Sequence, residues 1–321
     1  MTSIALIEAA ARRLHGHARR TPLLNAPLLD RIAGRRIYVK AECLQWTGSF
    51  KFRGGWSAVS ALPAGGAGVI AYSSGNHAQG VALAAQMHGL PAVIVMPSDA
   101  PAVKIDNTRA YGAEVVLYDR AVDDRDAIGS ELAVQRGLTL IRPYDDAEVI
   151  AGQGTVGLEI AAQAAEAGIP YATVITCCGG GGLTSGIALA LQARAPGFVV
   201  RTAEPAGFED VARSLASGRI ERNAQAAGSV CDAIVTPQPG NLTFPILKRL
   251  CGPGLVVTDD EALHAMALAF AHLRIVIEPG GAVALAAALF RKDLPDCVIC
   301  TASGGNVDPG LFAATLARFP V

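Results

Sequence analysis

Short apolar runs recur along the chain and are separated by stretches whose apolar positions follow a helical period. The runs are rich in valine and isoleucine, which is typical of strands buried on both faces of a parallel sheet. The predicted strands are residues 36–41, 68–72, 92–96, 114–118, 139–142, 172–176, 199–204, 255–258 and 298–302. The predicted helices include residues 76–88, 122–136, 155–167 and 259–273. This alternation predicts an α/β protein built on open twisted sheets.

Two turn-rich stretches, at 63–68 and 142–146, indicate where the chain passes between domains. The segment between them has predicted strands and helices of its own. We therefore expect a small α/β domain at residues 68–145, inserted into a large domain made of residues 1–67 and 146–321.

The composition indicates a globular protein, since hydrophobic residues make up 51% of the chain and charged residues 17%. The formal net charge of −1 gives no electrostatic reason to expect nucleic acid or an anionic membrane as a partner. No apolar run approaches the roughly 20 residues that span a membrane, and no signal peptide is visible. We expect a soluble, cytoplasmic protein whose seven cysteines are reduced core thiols.

Lys51 is the first candidate for chemistry, because it lies between Phe50 and Phe52 rather than among polar residues. An apolar setting lowers the pKa of a lysine by destabilising its charged form. The neutral amine is the form that condenses with a carbonyl group to give a Schiff base. An isolated lysine would ordinarily be a solvated surface residue, so the interpretation depends on the motifs that accompany it.

Three turns rich in glycine, serine and asparagine each follow a predicted strand. They read Ser-Ser-Gly-Asn-His at 73–77, four glycines at 179–182, and Ser-Gly-Gly-Asn at 303–306. Glycines allow the backbone to approach a ligand, and N–H groups at a helix start bind anions. The carboxyl ends of parallel strands meet at the ligand-binding edge of an open sheet. We therefore expect a carboxylate-binding turn, a phosphate cup and a serine hydroxyl to share one crevice.

In combination, these motifs resemble those of the fold-type II pyridoxal-phosphate (PLP) enzymes, whose fold is tryptophan synthase β-like. The similarity is greatest to the serine/threonine dehydratase and serine racemase group, and it runs from Thr21 to Asn306. The motifs are Ser-Phe-Lys-x-Arg-Gly at 49–54, Ser-Ser-Gly-Asn-His at 73–77, Ala-Gly-Gln-Gly-Thr at 151–155, the tetraglycine at 179–182, Glu-Pro at 278–279 and Ser-Gly-Gly-Asn at 303–306.

The resemblance implies a role for each of these residues. Lys51 would form the Schiff base with PLP and then act as general base, and Phe50 would pack beside the pyridine ring. Ser303 would face the pyridine nitrogen, where a neutral hydroxyl favours loss of a β-substituent. The other implied contacts are Asn76 with the cofactor O3′; Gly179, Gly180, Gly181, Gly182 and Leu183 with its phosphate; and Ser73, Ser74, Asn76 and His77 with the substrate carboxylate.

A divalent cation is also implied by the resemblance. Its ligands would be the carboxylates of Glu204 and Asp210 and the backbone carbonyl of Phe208, an oxygen set that suits Mg²⁺ or Ca²⁺. The chain departs from its relatives near the expected cofactor ring, where it has Asp-Ala-Ile at 232–234 in place of Asp-Gly-Val. The contacts of that segment stay open at this stage.

The resemblance implies a PLP-dependent ammonia-lyase, a dehydratase that converts L-threonine or L-serine to a 2-oxo acid and ammonia. A serine or amino-acid racemase is an alternative, because Ser74 occupies the position that acts opposite the lysine in racemases of this group. A β-replacement synthase fits the turn at 73–77 less well, and a catalytically silent binding protein would not need Lys51, Ser74 and Ser303. Relatives are commonly homodimers, so we expect a homodimer.

β-Hydroxyaspartate is an alternative substrate, since its second carboxylate would require a cationic side chain in the pocket. Arg53, Arg142 and His77 are the candidates from the sequence. Some racemase relatives use an arginine in the helix predicted at 122–136. The matching position here is Glu131, which favours a substrate with an uncharged β-substituent.

Overall fold

The computed structural model describes residues 2–73, 75–100, 102–119 and 121–320. Its α-helices are α1 (Ile4–Leu14), α2 (Pro27–Ala33), α3 (Lys51–Ser60), α4 (Asn76–Met87), α5 (Ala102–Ala110), α6 (Arg125–Arg136), α7 (Ala147–Glu166), α8 (Gly182–Arg194), α9 (Asp210–Ser217), α10 (Thr243–Leu250), α11 (Asp259–Leu273), α12 (Pro279–Phe290) and α13 (Pro309–Arg318). Its strands are β1 (Leu23–Leu24), β2 (Arg36–Lys40), β3 (Val69–Tyr72), β4 (Ala92–Pro97), β5 (Glu114–Tyr118), β6 (Thr139–Leu140), β7 (Thr173–Cys177), β8 (Val199–Pro205), β9 (Leu255–Val257) and β10 (Cys297–Thr301).

The strands form two sheets, which confirm the predicted α/β class. The larger sheet has the order β1-β2-β10-β7-β8-β9 and is parallel except for the antiparallel pair β1–β2. The smaller sheet has the order β5-β4-β3-β6 and is parallel throughout. The strands of the smaller sheet all lie within 68–145 and those of the larger sheet lie outside it. We interpret the two sheets as the small and the large domain.

The central strands of the larger sheet are covered by helices on both faces. Side chains alternate along a strand, so neighbouring residues face opposite sides. On β7, Ile175 packs in the same cluster as α12, whereas Val174 packs in the cluster that contains α8. Both β7 and β10 are buried along their whole length. This burial explains why these strands read as continuous apolar runs in the sequence.

The prediction of 155–167 for α7 was wrong at its start, because the helix begins at Ala147. Its glycines suggested a loop, but they lie where neighbouring backbones approach closely. A Cβ at Gly152 would overlap the Arg53 carbonyl of α3. A Cβ at Gly186 of α8 would lie 2.6 Å from the backbone of Gly154. Glycine is therefore used here for close helix packing and does not mark a break.

All seven cysteines are free thiols, and all except Cys251 are buried, as expected for core residues. Within the part of the chain that the structure describes, no helix combines the length and the apolar character that a membrane span requires.

Candidate active site

Lys51 is the first residue of α3, and its amine is held in a buried position. Burial lowers the pKa of Lys51 to about 8, because the charged form loses its hydration. The amine donates a hydrogen bond of 2.8 Å to the carbonyl oxygen of Pro143 and lies 5.1 Å from the centre of the Phe50 ring. A substantial fraction of Lys51 is therefore a neutral amine near neutral pH, as Schiff-base chemistry requires.

One cavity of about 870 Å³ brings the sequence motifs together. Its lining includes Phe50, Lys51, Ser73, Asn76, His77, Gly179, Gly180, Gly181, Gly182, Leu183 and Ser303. Ser74 lies outside the described residues. The roles that the resemblance implies for these side chains remain predictions, but their placement in a single cavity is what those roles require.

The tetraglycine turn is built for close approach by a ligand. Gly181 has φ +91°, a conformation that side chains rarely adopt, and α8 begins directly after it. A Cβ at Gly180 would overlap the ring of Tyr144. The first N–H groups of a helix lack partners within the helix, so they are able to bind an anion at this turn. The residues present therefore fit the phosphate and the aldehyde of PLP.

Other segments hold the tetraglycine turn in place. The carbonyl oxygen of Gly180 accepts hydrogen bonds from the Gly240 N–H at 3.1 Å and from the Thr243 hydroxyl at 2.7 Å. The carboxylate of Asp145 accepts from the N–H groups of Asn241 and Leu242, at 3.1 and 2.7 Å. The turn is thus supported by protein contacts on the side away from the cavity.

His77 lies in the first turn of α4, and its side chain is buried. Its Nε2 and the Ile141 carbonyl oxygen are 2.9 Å apart, and a carbonyl can only accept, so Nε2 carries the hydrogen. Burial, assisted by the charge of Lys51, lowers the pKa of His77 to about 3. The ring is therefore neutral at physiological pH and supplies no positive charge to a substrate carboxylate. The backbone N–H of the helix start is the group that fits such a role.

The structure also changes the arginine candidates. The buried guanidinium of Arg53 pairs with Glu42 and Glu159, so it is not a cation of the pocket, and that expectation was wrong. The expectation for Glu131 was also wrong, since Glu131 is exposed and accepts from Gln135 on the surface of α6. Arg125, the first residue of the same helix, lines the cavity instead.

Arg125 and Arg142 are the arginines that face the substrate side of the described cavity, together with Arg222. The guanidinium of Arg125 lies 5.4 Å from the centre of the Tyr72 ring. Sequence spacing gave no signal for Arg125, because it stands in a polar segment of alternating charges at the start of a surface helix. Lys104 and Glu278 line the same cavity, and the sequence interpretation gave neither of them a role.

The proposed cation ligands Glu204 and Asp210 are both buried. Burial, together with the charge of Asp210, raises the pKa of Glu204 well above its ordinary value, and burial raises that of Asp210 to about 6. Asp210 Oδ2 is a buried oxygen with no hydrogen-bond partner among the described residues. That orphaned oxygen fits a cation. Within the described ranges no cluster of three or more His, Cys, Asp or Glu residues is arranged as a metal site, so the Phe208 carbonyl and water would have to complete the shell.

Comparisons with known proteins point in one direction. A family model described as "Pyridoxal-phosphate dependent enzyme" matches residues 14–306. The chain is 42% identical to an L-threo-3-hydroxyaspartate ammonia-lyase of Pseudomonas sp over 96% of both chains. It is 38% identical to a serine racemase of Arabidopsis thaliana over 96% of this chain and 94% of the relative. A solved threonine deaminase, from the organism abbreviated T.th., superimposes with a TM-score of 0.91 at 45% identity, covering 95% of this chain and 99% of that chain.

Proposed function

Because the chain belongs to the family of pyridoxal-phosphate dependent enzymes, we propose that it is an ammonia-lyase that removes the β-hydroxyl of a small hydroxy-amino acid. L-Threonine and L-serine are the proposed substrates, and a 2-oxo acid and ammonia are the products. The observation that carries the proposal is the buried amine of Lys51 in the same cavity as the tetraglycine turn.

When bound, PLP supplies an electron sink that acidifies the α-proton of an amino acid. Several groups of this chain would hold it: the amine of Lys51, the turn Gly179–Gly182 with Leu183 around the phosphate, Asn76, and the hydroxyl of Ser303. The ring of Phe50 lines the same wall as Lys51. The Ser303 position carries a neutral hydroxyl in place of a carboxylate, and such a hydroxyl does not hold a proton on the pyridine nitrogen.

In the proposed reaction, Lys51 Nζ takes the α-proton of the substrate as general base. Its pKa of about 8 suits this task, because the amine is able both to lose and to accept a proton near neutral pH. The Pro143 carbonyl orients the amine through the 2.8 Å hydrogen bond. The N–H groups at the start of α4 bind the substrate carboxylate, and the cavity walls exclude bulk water from the reacting atoms.

Replacing the lysine tests the proposal. The Lys51→Ala variant is expected to lose 2-oxo acid release by several orders of magnitude and to lose the visible absorption of lysine-bound cofactor. Lys292→Ala removes an exposed lysine and is the matched control, with activity retained. Release of 2-oxo acid by the Lys51→Ala variant at the rate of the unaltered enzyme would refute the proposed function.

A second candidate substrate is β-hydroxyaspartate, and the observation that favours it is Arg125 at the cavity wall. A guanidinium binds a carboxylate with two parallel hydrogen bonds, so Arg125 is suited to the distal carboxylate. The relative that is 42% identical is named for this activity. Arg142 is the alternative partner for the same group.

A racemase remains the alternative of another reaction class, since a serine racemase is among the relatives. Ser74, the residue on which it depends, lies outside the described residues. Measuring D-isomer formation beside 2-oxo acid release separates the two reactions. We further propose Mg²⁺ or Ca²⁺ at Glu204, Phe208 and Asp210, a homodimer, and a cytoplasmic location.

A further inference from the structure

Glu278 is a buried carboxyl in the cavity that the proposed mechanism does not use. It precedes α12, and its side chain makes no capping hydrogen bond to that helix. It instead lies over Gly304, where a Cβ would overlap Glu278 Oε1. Its Oε1 accepts a hydrogen bond from Nδ2 of Asn76. The carboxyl is thus directed at the residue that is expected to contact the cofactor O3′.

A chain of hydrogen bonds fixes which end of the Asn76 amide faces Glu278. The carbonyl oxygen of Thr47 can only accept, so Asn306 must direct its Nδ2 donor toward it, at 2.8 Å. The same Nδ2 lies 2.7 Å from Asn76 Oδ1, which therefore accepts. Asn76 must then direct its Nδ2 toward Glu278. Since an amide nitrogen carries two hydrogens, Glu278 engages one and the other is able to donate to a bound group.

Charged groups from three other elements face Glu278. Lys104 of α5 is nearly buried and lies 3.5 Å from Asp232 Oδ2 of the 3-10 turn Asp232–Ile234. The Cys43 thiol comes from the turn Glu42–Leu44, and burial raises its pKa to about 12, so it is neutral. Burial raises the pKa of Glu278 to about 7; the charge of Lys104 opposes this rise and that of Asp232 adds to it.

We infer that Glu278 is a positioning residue: its carboxyl ends the hydrogen-bond chain from Thr47 through Asn306 to Asn76, so that Asn76 presents an N–H donor to the cofactor, and Lys104 and Asp232 set its charge. The inference rests on PLP being the cofactor. It predicts two separable properties, an acceptor that orients Asn76 and a negative charge that appears as the pH rises through neutrality.

The orienting property is tested by PLP affinity. Glu278→Gln keeps an acceptor oxygen, and we expect its Kd for PLP, measured by absorbance titration of the cofactor-free protein, to stay within about threefold. Glu278→Met is similar in length and has no such acceptor, so its Kd should rise by about tenfold or more. Equal affinity of the Met variant and the unaltered protein would overturn the inference. Failure of the unaltered protein to bind PLP would instead refute the proposed function.

The charge property is tested without cofactor. The folded-state pKa of Glu278 lies above its ordinary value of 4.5, so its contribution to stability is full below pH 4.5 and is lost as the pH rises through about 7. The difference in Tm between Glu278→Gln and the unaltered protein should therefore increase in favour of the variant from pH 5 to pH 8. A difference that is constant with pH would contradict the assigned charge.

Lys104 and Asp232 give opposite signs in the same experiment, and they keep the test available if a Glu278 variant does not fold. Lys104→Met should move the midpoint of the pH-dependent Tm change upward, because the opposing positive charge is gone. Asp232→Asn should move it downward, and by less, since Asp232 is more exposed and better screened. Shifts of the same sign, or no shift in either variant, would overturn the inference.

Discussion

Lys51 shows how burial adapts a single residue to its chemistry. The residue is surrounded by Phe50, the start of α3 and the Pro143 carbonyl, and its burial there lowers its pKa to about 8. Below that pH the folded protein holds mainly the ammonium form, and above it mainly the neutral amine. The ordinary value of 10.5 would leave the amine protonated almost completely at neutral pH.

The rate at which PLP recombines with the cofactor-free protein should depend on this pKa. Only the neutral amine attacks the aldehyde, so the rate should rise about tenfold per pH unit up to about 8 and then level off. Stopped-flow absorbance measures the rate, and a short lysine peptide, whose rate keeps rising toward about pH 10, is the control. A protein profile that matches the peptide would show that Lys51 is solvated.

Arg125 is the residue that should decide between the two proposed substrate classes. Arg125→Ala should lower kcat/KM for β-hydroxyaspartate by about tenfold to a hundredfold, the loss of a charge-assisted pair, and should change that for L-serine by less than about threefold. Arg136→Ala, at the exposed end of the same helix, is the matched control because its partner is the surface residue Glu114. A parallel loss for both substrates would assign Arg125 to structure instead of specificity.

At this scale the sequence predicted residues that stand in motifs and missed those that do not. Lys51, Asn76 and Ser303 were found because each has neighbours of an uncommon type at a fixed spacing. Lys104 and Arg125 come from helices whose sequences look like ordinary solvated surfaces. Their approach to the cavity depends on how the smaller sheet lies against the larger one, which no local pattern encodes.

At the scale of elements, α3 is fastened by a buried ion network that begins two residues after the lysine. Arg53 bonds Glu42 at 2.8 Å and Glu159 at 2.7 Å, and Lys40 pairs with the same Glu159. The carboxylate of Glu42 also accepts from Thr21. Strand β2, helix α3 and helix α7 are thereby joined through charges that have lost most of their water.

Removing Arg53 should therefore destabilise the protein strongly. Arg53→Met keeps the apolar stem but leaves Glu42 buried without its main partner, and we expect a loss of about 3–5 kcal/mol in the free energy of unfolding. Arg20→Met breaks the exposed pair with Glu166 and should cost no more than about 1 kcal/mol, because solvent screens that pair. Urea unfolding measures both. Similar small losses in the two variants would mean that the network is not a stabilising anchor.

Element boundaries were predictable where one face of the helix is polar, as in α11, whose predicted and observed bounds agree. They were not predictable for α12, which is buried almost throughout and so has no amphipathic period. The early turns of α7 failed for a different reason, because Gly152 and Gly154 serve contacts with other helices. The information lies in the tertiary neighbour and not in the segment.

At the scale of the whole molecule, the predicted motifs converge because parallel strands deliver their carboxyl ends to one side of each sheet. The turn at 73–77 follows β3 of the smaller sheet, and the turns at 179–182 and 303–306 follow β7 and β10, which are neighbours in the larger sheet. The class of fold could be predicted from alternating elements. The strand order could not, since β10 inserts between β2 and β7 from the far end of the chain.

Ligands that bind only the folded molecule should raise its stability as a whole. At a free PLP concentration about a hundredfold above Kd, the free energy of unfolding should increase by about 2.7 kcal/mol. The Lys51→Ala variant, which lacks the covalent attachment, should show a smaller increase at the same PLP concentration. Thermal unfolding with and without PLP measures the effect, and pyridoxal without phosphate is the control ligand. Equal stabilisation by both ligands would show that the tetraglycine turn does not bind the phosphate.

The contacts of Gly180 with Gly240 and Thr243 have a consequence for how the enzyme acquires its cofactor. A cup that is ordered by its own protein neighbours is preorganised, so little conformational entropy is lost when a phosphate docks. Loading should then be limited by encounter and by imine chemistry and not by loop folding. The empty protein should also accept phosphorylated analogues of the aldehyde without first refolding.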